Sequence, residues 1–341
     1  MKKIDTCAIA SSGGITLKNK KVLITGGLGF IGSNLARRCL ELGAKVVIYD
    51  CLDPHSGGNL YNIKDIRNDT EVILGDILNF DELIKSIVGQ DIVFNCAAST
   101  SHPFSMKEPW IDLDVNCRGV INLLEAARRF NREAKFIHIG TSTQIGRLHY
   151  NPADENHPEF PTDIYSANKS VSEKYVLLYG NAYSIPATVV RFANIFGPRA
   201  SIHSPDFTFV NYFIGLAMQN KSITVYKPGR QLRNVTYVDD AVTALIMSAL
   251  SRETDGKVYF AVSSEHLSVA DIASKITEVV GGKLNLVDWP PERKSVEIGD
   301  AVISNKKITD TLGWKPAYNF VDGLAETKKY YANCIKEYIP R

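Results

Sequence analysis

Tyr165 and Lys169 are two residues whose types and spacing suit proton transfer, within the stretch Tyr-Ser-Ala-Asn-Lys. On a helix, residues four apart lie one turn apart on the same face. A free phenol, with a pKa of about 10, is a poor base at neutral pH. A nearby ammonium favours the phenolate and brings the group toward the range that is useful for proton transfer. The same spacing also fits a solvated helix face, so the surrounding elements must decide between the two interpretations.

A second candidate is Thr141, which follows a predicted strand at residues 135–139. Its hydroxyl could hydrogen-bond a substrate oxygen and pass a proton between that substrate and Tyr165. A polar turn over residues 141–143 is the alternative. His138 lies inside the same strand, and we expect it to be a packed histidine rather than a catalyst.

The elements that would position these residues begin with a strand, a turn and a helix at residues 21–32. The run Val-Leu-Ile is typical of a parallel strand that is buried on both faces. The glycines that follow fit a dinucleotide-binding fingerprint in two registers, Gly27-x-Gly29-x-x-Gly32 and Gly26-x-x-Gly29-x-x-Gly32. The N–H groups at the start of the next helix suit a pyrophosphate. A plain glycine turn is the alternative, and the context of the next strand disfavours it.

Asp50 supplies that context, because it ends the second predicted strand, at residues 45–49. An acidic side chain at this place can accept hydrogen bonds from both hydroxyls of an adenosine ribose. It would repel a 2′-phosphate, so we predict NAD rather than NADP as the cofactor.

Strands and helices alternate up to residue 192, which indicates an α/β fold with a doubly wound parallel sheet (Rossmann). Beyond it we expect a smaller C-terminal α/β domain that binds the substrate. The predicted domain limits are 1–20 for an N-terminal extension, 21–192 with a return segment at about 234–262 for the NAD-binding domain, and 193–233 with 263–341 for the substrate domain. The predicted strands are 21–24, 45–49, 71–74, 91–96, 135–139, 187–192, 223–226, 235–238 and 258–261. The predicted helices begin with one from residue 30 and continue with 81–88, 110–129, 164–180, 207–219, 239–250, 269–280, 306–312 and 320–336.

Composition limits the classes of function that fit the chain. Its 341 residues are 45% hydrophobic and 22% charged, as in an ordinary globular enzyme. A net charge of +2 gives no general case for nucleic-acid binding. The six cysteines contain no CxxC pair, so we expect reduced thiols in a cytoplasmic protein and no metal site. No apolar run approaches the ~20 residues that span a bilayer, so we expect no membrane partner.

Several longer motifs together resemble the extended short-chain dehydrogenase/reductase family. The resemblance is closest to its NAD-dependent nucleotide-sugar epimerases and dehydratases, typified by UDP-glucose 4-epimerase, and it runs from about residue 21 to residue 316. The motifs that carry it are Thr-Gly-Gly-Leu-Gly-Phe-Ile-Gly at 25–32, Gly-Asp-Ile at 75–77, Val-Asn-Cys-Arg-Gly-Val at 115–120, Gly-Thr-Ser-Thr at 140–143, Tyr165 with Lys169, Arg-Phe-Ala-Asn-Ile-Phe-Gly-Pro at 191–198, Gly-Arg-Gln-Leu-Arg-Asn-Val-Thr-Tyr-Val-Asp-Asp at 229–240 and Leu-Gly-Trp-Lys-Pro at 312–316.

The resemblance implies roles for individual residues and a homodimer that pairs the helices at 110–129 and 164–180. Thr141, Tyr165 and Lys169 would be catalytic. The implied cofactor contacts are Gly26, Gly29, Phe30 and Ile31 at the pyrophosphate, Asp50 at the ribose, Asp76 and Ile77 at the adenine, and Ala97, Asn116 and Lys169 at the nicotinamide. Tyr165 is a further implied cofactor contact. The implied contacts to a nucleotide-sugar substrate are Thr141 at the sugar, Asn194 and Arg233 at the diphosphate, and Arg293 as a second phosphate clamp.

Ser142 and Thr143 favour one reaction of the family over the others. Sugar 4,6-dehydratases carry Asp-Glu at these positions and nucleotide-sugar decarboxylases usually carry Ser-Glu. Hydroxyls are poor acid–base groups for elimination, so we predict 4-epimerisation through a 4-keto intermediate, most simply of a UDP-hexose. The open alternatives are a dehydratase, decarboxylase or dehydrogenase of the same family, and a non-catalytic NAD-binding regulatory protein. Ile145, where the family often has tyrosine, and Asn234, where aspartate is common, depart from the pattern and bear on the substrate.

Overall fold

A parallel sheet of seven strands forms the centre of the chain. The computed structural model describes residues 15–291 and 298–339. Alternate residues of each strand enter two separate cores. Val22 and Ile24 pack in one core, and Leu23 packs in the other. In chain order the strands of the structure are β1 Lys21–Thr25, β2 Lys45–Asp50, β3 Thr70–Leu74, β4 Ile92–Asn95, β5 Lys135–Thr141, β6 Ala187–Phe192, β7 Ile195–Phe196, β8 Ser222–Tyr226, β9 Leu232–Asn234, β10 Thr236–Tyr237, β11 Lys257–Phe260, β12 His266–Ser268 and β13 Lys283–Val287.

The strand order of the main sheet is β11-β6-β5-β4-β1-β2-β3, and all neighbours run parallel. The chain moves from β1 outward to β3 and then crosses to β4 on the other side of β1. The order therefore reverses between β1 and β4, where the carboxyl ends of the strands leave a crevice for a ligand. This topology confirms the predicted doubly wound α/β fold, including a seventh sheet strand near residues 258–261.

Helices cover both faces of the sheet, because each presents an apolar stripe to one of the two cores. Helices α1 and α8 pack on one face, and α2, α5 and α6 pack on the other. In chain order the helices are α1 Phe30–Glu41, α2 Phe80–Ile87, α3 His102–Lys107, α4 Pro109–Leu113, α5 Gly119–Phe130, α6 Ile164–Tyr183, α7 Phe209–Met218, α8 Val238–Leu250, α9 Val269–Val279, α10 Lys306–Leu312 and α11 Phe320–Ala332.

The helix predicted at residues 110–129 contains a π-helical turn. The turn spans Asp114–Arg118 and joins α4 to α5 without a break. Such turns hold one extra residue and occur often at functional sites. Apolar periodicity does not reveal them, because the stripe continues on both sides.

The remaining strands form three small two-stranded sheets beside the main sheet. Strand β7 pairs with β10 and β8 pairs with β13, both in parallel, and β9 pairs with β12 in antiparallel. Strands β7, β9, β12 and β13 were not predicted, since they are only two to five residues long and carry little alternation. Together with α7, α9, α10 and α11 these strands follow the rhythm change expected after residue 192. The exact domain limits stay a prediction.

Some predicted features lie outside the described residues. These are Arg293 and most of the extension at 1–20. The described end of that extension is anchored, because Leu17 is fully buried and its N–H donates to Leu42 O at 2.9 Å. Within residues 15–291 and 298–339, no helix is long and apolar enough to cross a bilayer, and the five cysteines in those ranges are all free.

Candidate active site

The turn after β1 requires glycine at two positions. Gly26 has a φ of +67°, and a Cβ there would lie 2.6 Å from the backbone nitrogen of Ala97. A Cβ on Gly32 would lie 2.3 Å from Gly26 O. A Cβ on Gly27 would also be close, at 2.7 Å from the Ile48 side chain, but among Gly26, Gly27 and Gly32 only Gly26 has a positive φ. The register that begins at Gly26 is therefore the one that shapes the turn.

Gly29 opens the start of α1 toward a ligand. It is the N-cap of the helix and has no side chain with which to cap it. A Cβ on Gly29 would meet only Gly26 O, at 3.3 Å. The first N–H groups of a helix have no partner within the helix. Those of Phe30 and Ile31 therefore face a space that a pyrophosphate can enter, as the sequence predicted.

Asp50 is held at the carboxyl end of β2 by two backbone donors. Leu28 N donates to one carboxylate oxygen at 2.9 Å, and Leu52 N donates to the other at 2.8 Å. Burial nevertheless raises the pKa of Asp50 above its ordinary value. Each carboxylate oxygen keeps a second lone pair, so the group can still accept hydrogen bonds from ribose hydroxyls.

Asp76 and Ile77 follow β3 at the same edge of the sheet. Tyr49 OH donates to Asp76 O at 3.0 Å, and Leu78 N donates to the Asp76 carboxylate at 2.9 Å. Ile77 is nearly buried and supplies an apolar surface beside Asp50. This apolar wall with a neighbouring carboxylate suits an adenine and its ribose.

A cavity of about 560 Å³ lies at the carboxyl ends of the sheet strands. It brings most of the predicted site residues together, from both the cofactor and the substrate sets. The predicted residues that line it are Gly26, Gly29, Phe30, Ile31, Asp50, Asp76, Ile77, Ala97, Thr141, Tyr165, Lys169, Asn194 and Arg233.

Asn116 does not line this cavity. It lies in the π-helical turn, is buried, and donates through Nδ2 to Ser99 O at 2.9 Å. Its Oδ1 atom is buried without a hydrogen-bond partner. Ser99 itself lines the cavity, so Asn116 supports the wall from behind. A direct contact of Asn116 with the cofactor stays a prediction.

Thr141 and Tyr165 form the reactive end of the cavity. Burial raises the pKa of Tyr165, and a hydrogen bond with Thr141 opposes the rise. The Tyr-x-x-x-Lys spacing predicts a lowered pKa for this phenol. The protein alone does not lower it. The lowering would need the positive charge of a bound nicotinamide ring.

Lys169 lies on the same helix face as Tyr165 but turns toward the strand beneath. Its Nζ donates to Ile139 O at 2.6 Å and lies 3.3 Å from Nε2 of His138. Burial lowers the pKa of Lys169 to about 8, against the attraction of Glu173 and Asp112. Lys169 therefore loses its charge as the pH rises through about 8.

His138 connects this lysine to the interior of the sheet. Thr25 Oγ1 donates to Asn95 Oδ1 at 2.8 Å, and Asn95 Nδ2 lies 3.0 Å from His138 Nδ1. Burial and then the charge of Lys169 lower the pKa of His138 well below its ordinary value. Because Asn95 Nδ2 is the donor, Nδ1 of His138 accepts and the proton of its neutral ring lies on Nε2. An N–H group that faces Lys169 Nζ favours the uncharged amine of this lysine.

The hydroxyls of Ser142 and Thr143 do not take the place of the missing carboxylates. Thr143 Oγ1 accepts from Ser166 Oγ at 2.9 Å and lies 3.1 Å from Thr141 Oγ1. Thr143 N also donates to Thr141 Oγ1 at 3.2 Å. Thr143, which Ser166 holds in place, therefore orients the Thr141 hydroxyl at the end of β5.

Asn194 and Arg233 approach the cavity from the loop after β6 and from β9. Asn194 has a φ of +42° and donates to Asn234 O at 3.0 Å. Arg233 Nη1 donates to Leu232 O at 2.8 Å and to Gly299 O at 2.6 Å. These bonds leave the guanidinium at the cavity wall, where a fixed cationic fork suits a diphosphate.

Asn234 has a structural role that explains the departure from aspartate. It is fully buried, donates to Ser263 O at 2.7 Å and accepts from Ile303 N at 2.9 Å. The amide both donates and accepts here, whereas an ionised aspartate could only accept. Asn234 does not line the cavity, whereas Ile145 does. Of the two departures, Ile145 is the one that can affect the substrate.

The sequence interpretation missed α3, which supplies His102 and Phe104 to the cavity wall. A signal was present, because Ser101 is the N-cap of α3 and Pro103 lies in its first turn. The helix is too short for apolar periodicity to reveal it.

The family pattern described as "NAD dependent epimerase/dehydratase family" matches residues 22–261. The chain belongs to this family. The low-salt glycan biosynthesis protein Agl12 of Haloferax volcanii is 32% identical, over 91% of this chain and 98% of that protein. A dTDP-glucose 4,6-dehydratase of Streptomyces niveus is 29% identical, over 91% of this chain and 92% of that protein.

A solved member of the NAD-dependent epimerase/dehydratase family shares the whole fold. The Thermus thermophilus UDP-glucose 4-epimerase, in complex with NAD, has a TM-score of 0.81 and 25% identity, covering 92% of this chain and 99% of that one. The chain is an enzyme of this family, and NAD is its cofactor, which confirms the prediction made from the glycines and Asp50. The space above Gly29, the first N–H groups of α1 and the Asp50 carboxylate fit that cofactor.

Proposed function

We propose that the enzyme epimerises a nucleotide-activated hexose at C4, most simply a UDP-sugar. The observation that carries the proposal is the set of groups beside Tyr165. Thr141, Tyr165 and Lys169 are all present, and Ser142 and Thr143 offer hydroxyls where elimination would need carboxylates. Oxidation and reduction of a ring hydroxyl need only the first three groups.

Bound NAD would accept a hydride from C4 and return it. Tyr165 takes the proton of the C4 hydroxyl during oxidation and gives it back to the C4 oxygen during reduction. Thr141 hydrogen-bonds Tyr165 and lies where it can also bond the sugar oxygen. Between the two steps, the 4-keto sugar turns its other face to the cofactor while Arg233 and Asn194 keep its diphosphate in place.

The decisive test is incubation of the enzyme with a panel of nucleotide sugars, with NMR identification of the products. A C4-deuterated substrate should give the C4 epimer with deuterium retained at C4, because the same carrier returns it. Deuterium at C6 with loss of water would indicate the dehydratase reaction, for which the S. niveus relative is the precedent. Release of CO₂ would indicate a decarboxylase, and net NADH formation would indicate a dehydrogenase. No turnover on the entire panel would favour a regulatory NAD-binding protein.

The assembly that we propose is a homodimer through the continuous helix α4–α5 and through α6. Large apolar side chains are exposed on both helices. Trp110 is 76% exposed, Leu178 is 57% exposed and Val171 is 38% exposed. A second copy that pairs these helices in a bundle would bury them. Light scattering at micromolar concentration should give twice the chain mass, and Trp110→Glu should give a monomer. A wild-type monomer would contradict the proposal.

The free cysteines favour a reducing compartment such as the cytoplasm.

A further inference from the structure

His102 and Asp163 form a hydrogen-bonded pair at the sugar end of the cavity. His102 begins α3, and its Nδ1 lies 2.7 Å from one carboxylate oxygen of Asp163. The other carboxylate oxygen of Asp163 accepts from Ser166 N at 2.8 Å and caps α6. Asp163 therefore fixes His102 to the same helix that carries Tyr165.

The partner of Nδ1 determines which nitrogen of His102 can act as a base. An ionised carboxylate only accepts hydrogen bonds, so Nδ1 carries the proton and Nε2 keeps its lone pair when the ring is neutral. Within residues 15–291 and 298–339, Nε2 has no hydrogen-bond partner. A base oriented by a third group is the arrangement found in catalytic triads.

The contacts of Asp163 keep its carboxyl ionised. Burial raises the pKa of Asp163, but the hydrogen bonds with His102 and with Ser166 N outweigh burial and hold this pKa below its ordinary value. Asp163 faces His102 from the turn before α6. Tyr165 faces it from α6, with ring centroids 4.8 Å apart and ring planes at 75°. From the loop after β2, His55 stacks on Phe104 with ring centroids 4.9 Å apart, and it pairs with Asp53.

His102 is placed to reach the same ligand as Tyr165, because both side chains line the cavity. Its side chain is 37% exposed. Four carboxylates also line the cavity: Asp50, Asp53 and Asp76 follow or end β2 and β3 at the dinucleotide end, and Asp206 lies in the segment before α7. The imidazole of His102, with the lone pair of its Nε2, thus lies beside Tyr165 in the cavity wall.

We propose that His102 is a general base that exchanges the proton on a carbon next to the C4 keto group of the bound sugar. The proposal rests on the proposed function only for the source of that ketone. A ketone acidifies the neighbouring C–H groups, and the site provides both partners for enolisation. Nε2 takes the proton from carbon, the electron pair of the broken C–H bond forms a C=C bond to C4, and the π pair of the C=O bond moves onto the C4 oxygen. The carbonyl oxygen takes the phenol proton of Tyr165, and the reverse steps return a proton to carbon.

The test supplies the ketone directly, as UDP-4-keto-6-deoxyglucose in D₂O, and follows the H3 and H5 signals by ¹H NMR. The wild-type enzyme should exchange one of these protons faster than buffer alone. His102→Gln should lower that rate at least about 100-fold, the usual contribution of a general base. Asp163→Asn should lower it less, since asparagine still caps α6 while the charge that orients the ring is lost.

The control is His266→Gln, since this histidine is exposed on β12, and it should exchange at the wild-type rate. NAD affinity and circular dichroism of each variant report on folding. Wild-type exchange no faster than buffer, or His102→Gln exchange at the wild-type rate, would overturn the proposal. Epimerisation of UDP-hexoses is measured on the same samples. Exchange without epimerisation would support His102 and refute the proposed function, and epimerisation without exchange would do the opposite.

Discussion

The two ends of the cavity recognise their ligands by different means. At the dinucleotide end, where β1 ends, glycines and the backbone at the start of α1 make the space for the pyrophosphate. At the sugar end the wall is made of side chains, such as Tyr165, Asn194 and Arg233, from segments far apart in the chain. A backbone wall fails when something is added to it, whereas a side-chain wall fails when a functional group is removed.

The largest effect should follow from removing one hydroxyl at the sugar end. Tyr165→Phe should lower the rate of hydride transfer by about 10²–10⁴-fold, because the C4 hydroxyl loses its proton acceptor. NAD affinity and thermal stability should stay near those of the wild type, since the ring remains to pack. Stopped-flow absorbance of the reduced cofactor measures the rate. A near-wild-type rate would place the base elsewhere.

At the dinucleotide end, adding one methyl group should be enough. Gly26→Ala places Cβ 2.6 Å from Ala97 N, so the strand ends must separate and NAD binding should weaken. Gly89→Ala is the matched control, because Gly89 has a φ of +74° and nothing within 4 Å of the added Cβ. Both variants carry the cost of a left-handed residue, and Gly26→Ala should unfold at a free energy about 1–3 kcal/mol lower than the control.

Urea unfolding and NAD titration of both glycine variants measure that difference. Equal stability of Gly26→Ala and Gly89→Ala would show that the strand ends move apart at little cost. The claim that the dinucleotide end fails when a group is added would then be wrong.

Arg233→Ala should act on the substrate alone. A charge-assisted hydrogen bond contributes about 1.5–3 kcal/mol, so nucleotide-sugar affinity should fall by roughly 10- to 150-fold while NAD affinity is kept. Arg230→Ala is the control, since Arg230 lies three residues earlier and is exposed. Calorimetry with UDP-glucose compares them. Unchanged affinity in Arg233→Ala would remove this residue from the diphosphate site.

The smallest effect concerns pH. Burial lowers the pKa of Lys169 to about 8, so its amine is charged below that pH and neutral above it. The turnover rate should therefore fall as the pH rises through about 8. Lys169→Arg should lose this dependence, because a guanidinium stays charged in this range, although its maximal rate should be lower. A wild-type rate that is flat from pH 7 to 9 would contradict the assignment.

The parts that the sequence predicts well are those fixed by neighbouring residues. The helix at 306–312 has the predicted limits, and the glycine turn follows from residues 26–32. The sugar end depends instead on tertiary contacts. His102 meets Asp163 across 61 residues, and Asn234 meets Ile303 across 69. Neither pair leaves a periodic pattern, so only the folded chain shows that one is at the cavity and the other is a buried clamp.

The π-helical turn at Asp114–Arg118 divides one continuous helix into two angular frames, which means that side chains before and after it are offset around the helix axis. Before the turn Ile111 faces the cavity, within it Val115 contacts both the cavity and the core, and after it Val120 and Leu123 face the core under the sheet. Each residue of an α-helix advances about 100° around the axis, so the extra residue sets the offset between the frames. Deleting one residue from the turn would rotate the cavity-facing half out of phase while the core-facing half stayed seated. The π-helical turn thus sets the angle around the helix axis between the residues that face the cavity and those that face the core.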